Sequence, residues 1–352
     1  MGFQYIWCMQ SFSIIIVTWN ALHHLKTFLP SVYATKYEHF EIILADNASS
    51  DGSAQWVQNH FPKVRIIPLD QNYGYCGGNN RAAAYATFDN LIFLNNDVEV
   101  SPNWLDAQAK LLESHPEIGV IQPKIRSWED RDKFEYAGAA GGFIDINGFP
   151  FCRGRLFDHI ESDNGQYDTD TPIFWASGAA LTIRKSLFEQ LGGFYEPFIF
   201  HMEEIDLCWR AQLHGHQVWY CHNSIVYHLG GGSLPADSPR KTYYNFRNNL
   251  IMLGRNLPKK RRIPRLFLRL CLDGLAGVHF LLKGNFKHIP AIIRAHFSFY
   301  AHLRLIHKYR TVNRVDQLSM KISPVGLYTG SVVWDFYIAG KKTYPQLIGW
   351  NK

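Results

Sequence analysis

The sequence lacks the cysteine spacings of a zinc site or a disulfide framework. Its six cysteines contain no CxxC pair, and scattered thiols of this kind are typical of a reducing compartment. Intrinsic disorder is also excluded, because 47% of the 352 residues are hydrophobic and 15% are aromatic. We therefore expect a folded cytoplasmic protein of one large domain or two ordinary ones.

Charged residues are absent from the first 25 positions, which contain no Lys, Arg, Asp or Glu. A signal peptide or membrane anchor is nevertheless not expected, because this stretch has neither a basic start nor a small-residue cleavage site. Its apolar run is also interrupted by polar residues, among them Gln10, Ser11 and Asn20. The stretch Ser13 to Thr18 is predicted to be a buried first strand.

Acidic residues are almost missing from positions 251–310, where Asp273 stands against 13 Lys and Arg. The formal charge of this region is +12 and that of the rest of the chain is −6. The net charge of +6 conceals this difference between the two parts. Arg269, Asp273 and His279 interrupt its apolar run, so a membrane span is not expected. We predict peripheral contact with an anionic membrane; a solvated basic face or a protein partner, including a second copy, is the alternative. No nucleic-acid motif accompanies the charge, and nucleic acid is not an expected partner.

Four β-branched runs alternate with helix-compatible stretches between residues 13 and 125, namely SIIIVT, EIILA, VRIIP and NLIFLN. This alternation predicts an α/β fold with a mainly parallel sheet. Ligands of such sheets bind beyond the carboxyl ends of the strands. The polar residues at those ends are therefore candidate site residues, including Thr18, Asn20, Asp46 and Asn95 to Asp97. Positions 126–172 read as a loop-rich connection to a second block at 173–228.

The strand that ends in LNND, residues 94–97, places a carboxylate where a cation bound to a nucleoside diphosphate would lie. A simple turn is an equally good interpretation of Asn-Asn-Asp. The glycine-rich stretch 72–81 opens a helix and favours close approach to a phosphate, but it is not the GxGxxG dinucleotide motif.

The acidic segment 202–210 predicts a helix that begins near Glu203. Acidic residues are favoured in a first helical turn, and Asp206 with Arg210 forms an i, i+4 pair. A carboxylate at this position would also serve as a general base, so both interpretations stay open. His228 ends a predicted strand and could complete a metal site through a neutral ring nitrogen, although a lone histidine is more often structural.

Six motifs in order closely resemble family 2 glycosyltransferases, nearest to a bacterial rhamnosyltransferase-like branch. They are VTWN at 17–20, ADNASSDGS at 45–53, NYGYCGGNN at 72–80, LNND at 94–97, WASGAALTIRKSLFEQLGGF at 175–194 and MEEIDLCWR at 202–210. The resemblance covers residues 11–255 and implies a GT-A fold followed by a basic, mainly helical region at 256–352. It also implies an inverting transfer from a nucleotide-diphospho-sugar, with Mn²⁺ or Mg²⁺ as cofactor, to a glycan or lipid-linked acceptor at the inner face of the cytoplasmic membrane.

The resemblance assigns roles by position. Glu204 is implied as the catalytic base, with Glu203 and Asp206 as alternatives, and Asp97 with His228 as metal ligands. The implied acceptor and sugar pocket contains Trp175, Ser177 and Gly178. The implied donor-binding residues are Thr18, Asn20, Asp46, Asn72, Gly74, Gly77, Asn80, Asn95, Asn96 and Arg247.

The sequence departs from the family pattern at two positions. Asn95 stands where the metal motif usually has Asp, and Glu204 stands where the base is usually Asp. A catalytically silent nucleotide-sugar-binding protein is therefore one alternative. A processive polysaccharide synthase is another, although the QxxRW motif of such enzymes is missing. The sugar, which could be rhamnose from a dTDP donor or one carried by UDP, is not determined by these motifs.

Overall fold

The computed structural model describes residues 9–230 and 238–349. Within that part of the chain the main sheet has nine strands. These are β1 (Phe12–Thr18), β2 (Phe40–Asp46), β3 (Val64–Pro68), β4 (Asn90–Leu94), β5 (Val98–Val100), β6 (Ile118–Ser127), β11 (Thr171–Ile173), β12 (Ala180–Arg184) and β13 (Gln217–His228). The four predicted strands are thus confirmed as β1 to β4. The central residues of β1, β2 and β4 are almost completely buried, as expected for a sheet covered on both faces, whereas β3 at the sheet edge exposes Arg65.

The strand order of the main sheet is β11-β13-β6-β12-β4-β1-β2-β3, with β5 paired to β13. Strands β1 to β4 are parallel. Because β12 is antiparallel to both β4 and β6, and β13 is parallel to β6, the strands β6 and β13 run in the same direction as β4. The carboxyl ends of β1, β2, β4 and β13 therefore meet at one edge, together with the start of β12.

Six helices accompany these strands, in agreement with the predicted α/β alternation. They are α1 (Leu22–Tyr33), α2 (Ser53–His60), α3 (Gly74–Ala83), α4 (Trp104–Ser114), α5 (Lys185–Gln190) and α6 (Glu203–Leu213). A single 3₁₀ turn, Glu196–Phe198, precedes α6. Helix α3 approaches β1 closely, since a Cβ at Gly78 would lie 2.8 Å from Val17 Cγ1.

A second, smaller sheet lies in the segment that we expected to be loop-rich. It consists of β7 (Gly142–Asp145), β8 (Pro150–Cys152), β9 (Arg155–Leu156), β10 (His159–Ile160) and β14 (Leu327–Tyr328). The first four strands are only two to four residues long and are joined by tight turns, so hydrophobic periodicity could not reveal them. The fifth strand, β14, comes from the C-terminal region and pairs with β7.

The C-terminal region is mainly helical, as predicted. Helix α7 (Pro239–Asn256) leads into this region, whose helices are α8 (Lys259–Leu282), α9 (His288–Val312), α10 (Val315–Lys321), α11 (Val332–Tyr337) and α12 (Tyr344–Ile348). Among the described residues no helix combines the length and hydropathy needed to cross a bilayer.

Helices α7 and α9 pack closely across the predicted boundary at residues 255 and 256. A Cβ at Gly254 would lie 3.2 Å from Ile306 Cδ1, and Arg310 donates to the backbone oxygens of Gly254 at 3.0 Å and Arg255 at 2.7 Å. The division into residues 11–255 and 256–352 stays a prediction, because α9 and β14 both attach the second region to the first.

Candidate functional site

Asp97 and His228 lie side by side at the carboxyl edge of the main sheet. Asp97 follows β4 and His228 ends β13, and the backbone N–H of Leu229 donates to Asp97 O at 3.1 Å. This places Asp97 Oδ1 3.2 Å from His228 Nε2, with both side chains more than nine-tenths buried. Two residues 131 positions apart in sequence meet because β5, which starts at Val98, pairs with β13 and places Val98 opposite His228.

A third side chain, Glu135, lies on the other side of the His228 ring. Its Oε2 is 3.3 Å from His228 Nδ1, and its side chain is also buried. Burial alone would lower the pKa of His228, but the carboxylates of Glu135 and Asp97 raise it well above the ordinary value. Glu135 was missed by sequence reasoning, because it lies in a segment without periodicity or a recognised motif.

The pair Asp97 and His228 fits a divalent cation that takes most of its ligands from the substrate. Adjacent ligands of an octahedral Mg²⁺ or Mn²⁺ site lie about 3 Å apart, close to the observed separation. His228 Nδ1 has no hydrogen-bond partner within the described residues, despite the nearby carboxylate. Over the ranges 9–230 and 238–349 there is no group of three or more His, Cys, Asp or Glu that could hold a metal alone. Diphosphate oxygens would therefore have to complete the shell.

The two asparagines that precede Asp97 connect it to neighbouring strands. Asn95 Nδ2 lies 3.4 Å from His228 Nε2, and its backbone N–H donates to Ala179 O at 2.9 Å. Asn96 Nδ2 donates to Thr18 Oγ1 at 3.3 Å. Asn95, Asn96 and Thr18 therefore border the Asp97 and His228 pair, and their predicted donor contacts stay predictions.

Asn20 and Asp46 shape the loops after β1 and β2. Asn20 Oδ1 accepts from the backbone N–H of Ser50 at 2.7 Å, and Asp46 Oδ1 accepts from that of Ser49 at 3.0 Å. Asn47, beside Asp46, donates from Nδ2 to Gly74 O at 3.1 Å. Asn47 thus connects the carboxyl edge of the main sheet to α3. Asn47 was not predicted as a site residue, although its position in the ADNASS motif could have indicated it.

The glycine-rich stretch is a short turn followed by a helix, with less loop than the sequence indicated. Asn72 Oδ1 accepts from Gly74 N at 2.8 Å, and Gly74 has a φ of +66°, which favours glycine. Gly77 lies inside α3. Asn80 is paired with the backbone of Phe194 in both directions at 2.9 Å, so this asparagine supports the chain leading to α6.

Glu203 and Glu204 begin α6, where the sequence predicted the helix to start. Glu203 is buried and Glu204 is only partly buried. Each has an Oε2 without a hydrogen-bond partner among the described residues. Burial raises the pKa of Glu204 to about 7, and burial with the adjacent Glu204 charge raises that of Glu203 further above its usual range. A carboxylate with a pKa near neutrality is suited to accept a proton.

Asp206, the third candidate base, lies in a buried ion cluster. Its carboxylate accepts from Arg210 Nε at 2.8 Å, Arg255 Nε at 3.1 Å and Asn256 Nδ2 at 2.7 Å. Burial would raise the pKa of Asp206, but Arg255 and Arg210 hold it below the ordinary value. The i, i+4 pair with Arg210 is therefore present, in a network that joins α6 to the end of α7.

Gly178, which lies just before β12, is close to Glu204 at the start of α6. A Cβ at Gly178 would lie 3.8 Å from Glu204 Cβ, and Tyr75 Oη donates to Gly178 O at 2.8 Å. Trp175 and Ser177 are almost fully buried. Trp175 Nε1 donates to Phe143 O at 2.8 Å, and Ser177 Oγ accepts from Ala179 N at 3.2 Å. Their roles in the acceptor pocket stay predictions, whereas Gly178 borders Glu204 directly.

Arg247 is directed at the segment that leads into α6. Its Nη2 donates to the backbone oxygens of Pro197 and Phe198, and its Nε donates to Asn248 Oδ1 at 2.8 Å. Arg247 thus supports the segment that leads into α6, and its role in donor binding stays a prediction.

The segment before α6 has an unusual backbone. Ile199, His201 and Met202 have φ values of +64°, +65° and +73°, in a region that non-glycine residues rarely adopt. Asn248 Nδ2 lies within hydrogen-bond distance of the carbonyl oxygens of Phe198, Phe200 and His201. The fully buried Asn248 therefore stabilises the conformation that presents Glu203 and Glu204.

Comparison with known proteins identifies the chain. The family model described as Glycosyl transferase family 2 matches residues 13–192. The N-acetylglucosaminyl-diphospho-decaprenol L-rhamnosyltransferase of Mycobacterium tuberculosis is 30% identical over 259 residues, covering 68% of this chain and 83% of the relative.

Two solved structures share the fold at low sequence identity. The crystal structure of Staphylococcus aureus TarS 1-349 in complex with UDP-GlcNAc has a TM-score of 0.56 and 18% identity, covering 89% of this chain and 92% of that one. The crystal structure of GalNAc-T7 with UDP, GalNAc and Mn²⁺ has a TM-score of 0.58 and 14% identity, covering 95% of this chain and 57% of that one. The predicted mainly parallel α/β fold is thereby confirmed. The chain belongs to glycosyl transferase family 2 and is a glycosyltransferase.

Proposed function

We propose that this glycosyltransferase moves a sugar from a nucleotide-diphospho-sugar to a hydroxyl of a lipid-linked or glycan acceptor, with inversion at the anomeric carbon. The observation that supports the proposal is that the Asp97 and His228 pair and Glu204 both border the short stretch of chain before β12. Asn95, beside His228, donates from its backbone to Ala179 O, and the preceding Gly178 lies against Glu204. The proposed nucleoside-diphosphate site and the proposed base would therefore lie on either side of residues 178 and 179.

Glu204 is the proposed base. It would take the proton of the acceptor hydroxyl while that oxygen attacks the anomeric carbon and the nucleoside diphosphate leaves from the opposite face. Glu204 is more exposed than Glu203, and the carboxylate of Asp206 is already bound by Arg210, Arg255 and Asn256. These differences favour Glu204 over the other two acids. Positioned general-base catalysis typically contributes about 10²- to 10⁴-fold in rate.

Asp97 and His228 are the proposed ligands of Mn²⁺ or Mg²⁺, which would neutralise charge on the departing diphosphate. Lys241, on α7, is a further cation at this place. Its charge, added to burial, lowers the pKa of the His201 imidazole to about 4, and Glu135 acts on Lys241 in turn. These electrostatic effects support Lys241 as a cation that would contact the diphosphate.

Donor recognition is proposed for the loops after β1 and β2 and for the start of α3. Thr18 and Asp46 would contact the nucleoside, and the α3 N-terminus favours phosphate through its backbone N–H groups. Asn20 and Asn72 stabilise these turns through side-chain acceptors. Gly178, together with Trp175 and Ser177 behind it, would border the transferred sugar.

The name of the mycobacterial relative supports a lipid-diphosphate acceptor and a rhamnosyl donor. We propose an acceptor of that class here and leave the sugar open between rhamnose and a UDP-linked hexose. The basic C-terminal region would then contact the anionic inner face of the cytoplasmic membrane, where such an acceptor lies. Self-association is a secondary proposal, and nucleic acid is not a proposed partner.

A donor panel tests the proposed function. Thermal shift with dTDP- and UDP-sugars, with and without Mn²⁺, should reveal a stabilising donor only when the cation is present. Transfer to a short-chain lipid-diphosphate sugar, followed by mass spectrometry, should then show one added sugar. Donor binding without transfer or hydrolysis would instead identify a silent nucleotide-sugar-binding protein.

A further inference from the structure

The solvent-facing side of α8 is apolar along most of its length. The exposed residues from 263 to 282 contain no Lys, Arg, Asp or Glu. Ile263, Phe267, Leu275 and Leu282 are 73%, 69%, 65% and 82% exposed. Their spacing of four, eight and seven residues places them on one stripe, and the stripe extends over roughly 30 Å of helix.

The charged residues of the same stretch face the protein. Arg269 and Asp273 are buried, with Arg269 Nε donating to Asp273 Oδ1 at 2.7 Å. The ring of His296, from α9, lies 3.2 Å from Asp273 Oδ2, and the Arg269 guanidinium lies 4.0 Å from the centre of the Phe149 ring. Between residues 263 and 282, α8 thus has its charged residues turned towards the protein and large apolar side chains towards the outside. An apolar patch of this extent on a soluble protein indicates a surface that is covered in use.

Cations lie at both ends of the apolar stripe. Lys259, Lys260 and Arg261 are exposed at the start of α8, and Lys283 and Lys287 are exposed just after its end. Phe286, between those last two, is 62% exposed and extends the apolar surface into the connection to α9. An apolar stripe bracketed by basic residues is typical of a helix that lies in the plane of an anionic bilayer.

The end of α8 is attached to the part of α7 nearest the catalytic site. Thr242, in the first turn of α7, is 2.8 Å from His288 Nδ1, and the His288 ring stacks on Phe280 of α8 at 4.5 Å. Two turns further along α7, Asn248 binds the segment that leads to Glu204. Helix α7 therefore connects the end of α8, through His288, to the segment that precedes Glu204.

We propose that the outer face of α8, defined by Ile263, Phe267, Leu275, Val278 and Leu282, docks into an anionic membrane surface. The apolar side chains enter the boundary between headgroups and acyl chains, and the cations at both ends contact lipid phosphates. This inference rests on the proposed function, which places the acceptor at a membrane, and it names the element that makes the contact.

The charge distribution favours a membrane over a second copy of the chain. Residues 259–312 contain 12 Lys and Arg against one acid, the buried Asp273. Antiparallel pairing of two α8 helices would bring Lys259 to Arg261 of one copy beside Lys283 and Lys287 of the other. Such juxtaposition of like charges opposes self-association, whereas an anionic leaflet complements both clusters.

The test is flotation of the full-length protein with vesicles, using the double variant Leu275→Glu/Leu282→Glu. Vesicles contain phosphatidylcholine with or without phosphatidylglycerol. The wild type should float with the anionic vesicles, and the variant should lose at least tenfold in partition coefficient. Met320→Glu is the matched control, since Met320 on α10 is 85% exposed and lies outside the stripe; it should float like the wild type.

Transfer to a water-soluble acceptor analogue is measured in parallel and should be unchanged in all three proteins. Loss of flotation with preserved transfer supports the docking surface. Equal flotation of the double variant and the wild type overturns it, and so does a wild-type dimer that the variant abolishes without any vesicle binding. Flotation as expected with no transfer by the wild type would overturn the proposed function and leave the docking surface supported.

Discussion

The side-chain amide of Asn248 donates to the backbone oxygen of His201 at 2.9 Å, two residues before the acidic pair that begins α6. This bond links α7, from a region with no recognised catalytic motif, to the segment that orients Glu203 and Glu204. The segment contains three non-glycine residues with positive φ. A conformation of that kind persists only where surrounding contacts hold it.

Replacing Asn248 by Ala should therefore lower kcat while the KM for the donor stays near the wild-type value. The buried carbonyl oxygens of the segment would lose their donor, at a cost of about 1–3 kcal/mol in stability. Thr242→Val is the control, because Thr242 is also buried on α7 and its Oγ1 lies 2.8 Å from His288 Nδ1. It should destabilise the protein without the fall in kcat, and equal kcat values for both variants would contradict the positioning role.

Glu204→Gln should reduce kcat by about 10²- to 10⁴-fold and leave donor affinity unchanged, because the amide cannot accept the hydroxyl proton. Glu203→Gln provides the comparison and should retain most activity. Single-turnover rates with calorimetric donor affinities separate the two effects. If Glu203→Gln is the inactive variant and Glu204→Gln turns over normally, the assignment of the base is wrong.

On the acidic side of the pH profile, kcat/KM should rise with an apparent pKa of about 7. Burial raises the pKa of Glu204 to about 7, and the base must be ionised to act. Activity is therefore present above this pKa and is lost as the pH falls through it. A limb near pH 4.5, the ordinary value for a glutamate, would show that Glu204 is not the titrating base.

The same pKa shift has the opposite effect on stability. Between about pH 4.5 and pH 7 the folded state retains a proton on Glu204 that the unfolded chain has released, so stability falls as the pH rises through this interval. Glu204→Gln should thus stabilise the protein at pH 8, by up to about 3 kcal/mol, and have little effect at pH 4.5. Thermal melts at both values check this, and an equal effect at both would contradict it.

Asp97→Asn should abolish cation-dependent donor binding, because it removes the only charged oxygen ligand that we propose for Mn²⁺ or Mg²⁺. Calorimetry with donor in the presence of Mn²⁺ and then of EDTA measures the difference. Asp89→Asn is the control, since Asp89 is exposed just before β4 starts, at the opposite edge of the sheet. Unchanged cation-dependent affinity in Asp97→Asn would refute the assignment.

Sequence patterns predicted the regular parts of the molecule well. Strands β1 to β4 are short runs rich in β-branched residues, and α6 begins at Glu203 where the acidic residues favour a helix start. These features depend on local periodicity and on the macrodipole, both of which are visible in a single chain. The small sheet of β7 to β10 and β14 was missed because its strands are very short and one partner lies about 180 residues away.

The candidate site was predicted in part for the same reason. Motif order suggested Asp97 and Glu204, and the resemblance suggested His228 at the end of a strand; their roles stay predictions. Glu135 and Asn248 were not among the predicted site residues, since their positions depend on packing between segments that lie far apart in sequence. Likewise, the sequence indicated a basic amphipathic region but not which side of α8 faces outward.

By itself the sequence determined the α/β alternation, the family and the acidic pair at the start of α6, because each follows from local pattern. Only the tertiary structure decided that Asp206 is bound by Arg255 and Asn256, and that α8 buries Arg269 and Asp273 while it exposes an apolar stripe. The physical reason is that burial sets both outcomes. Packing by distant parts of the chain decides whether a carboxylate is held in an ion pair or is free to accept a proton. It also decides whether an apolar stripe on a helix lies in the core or at the surface.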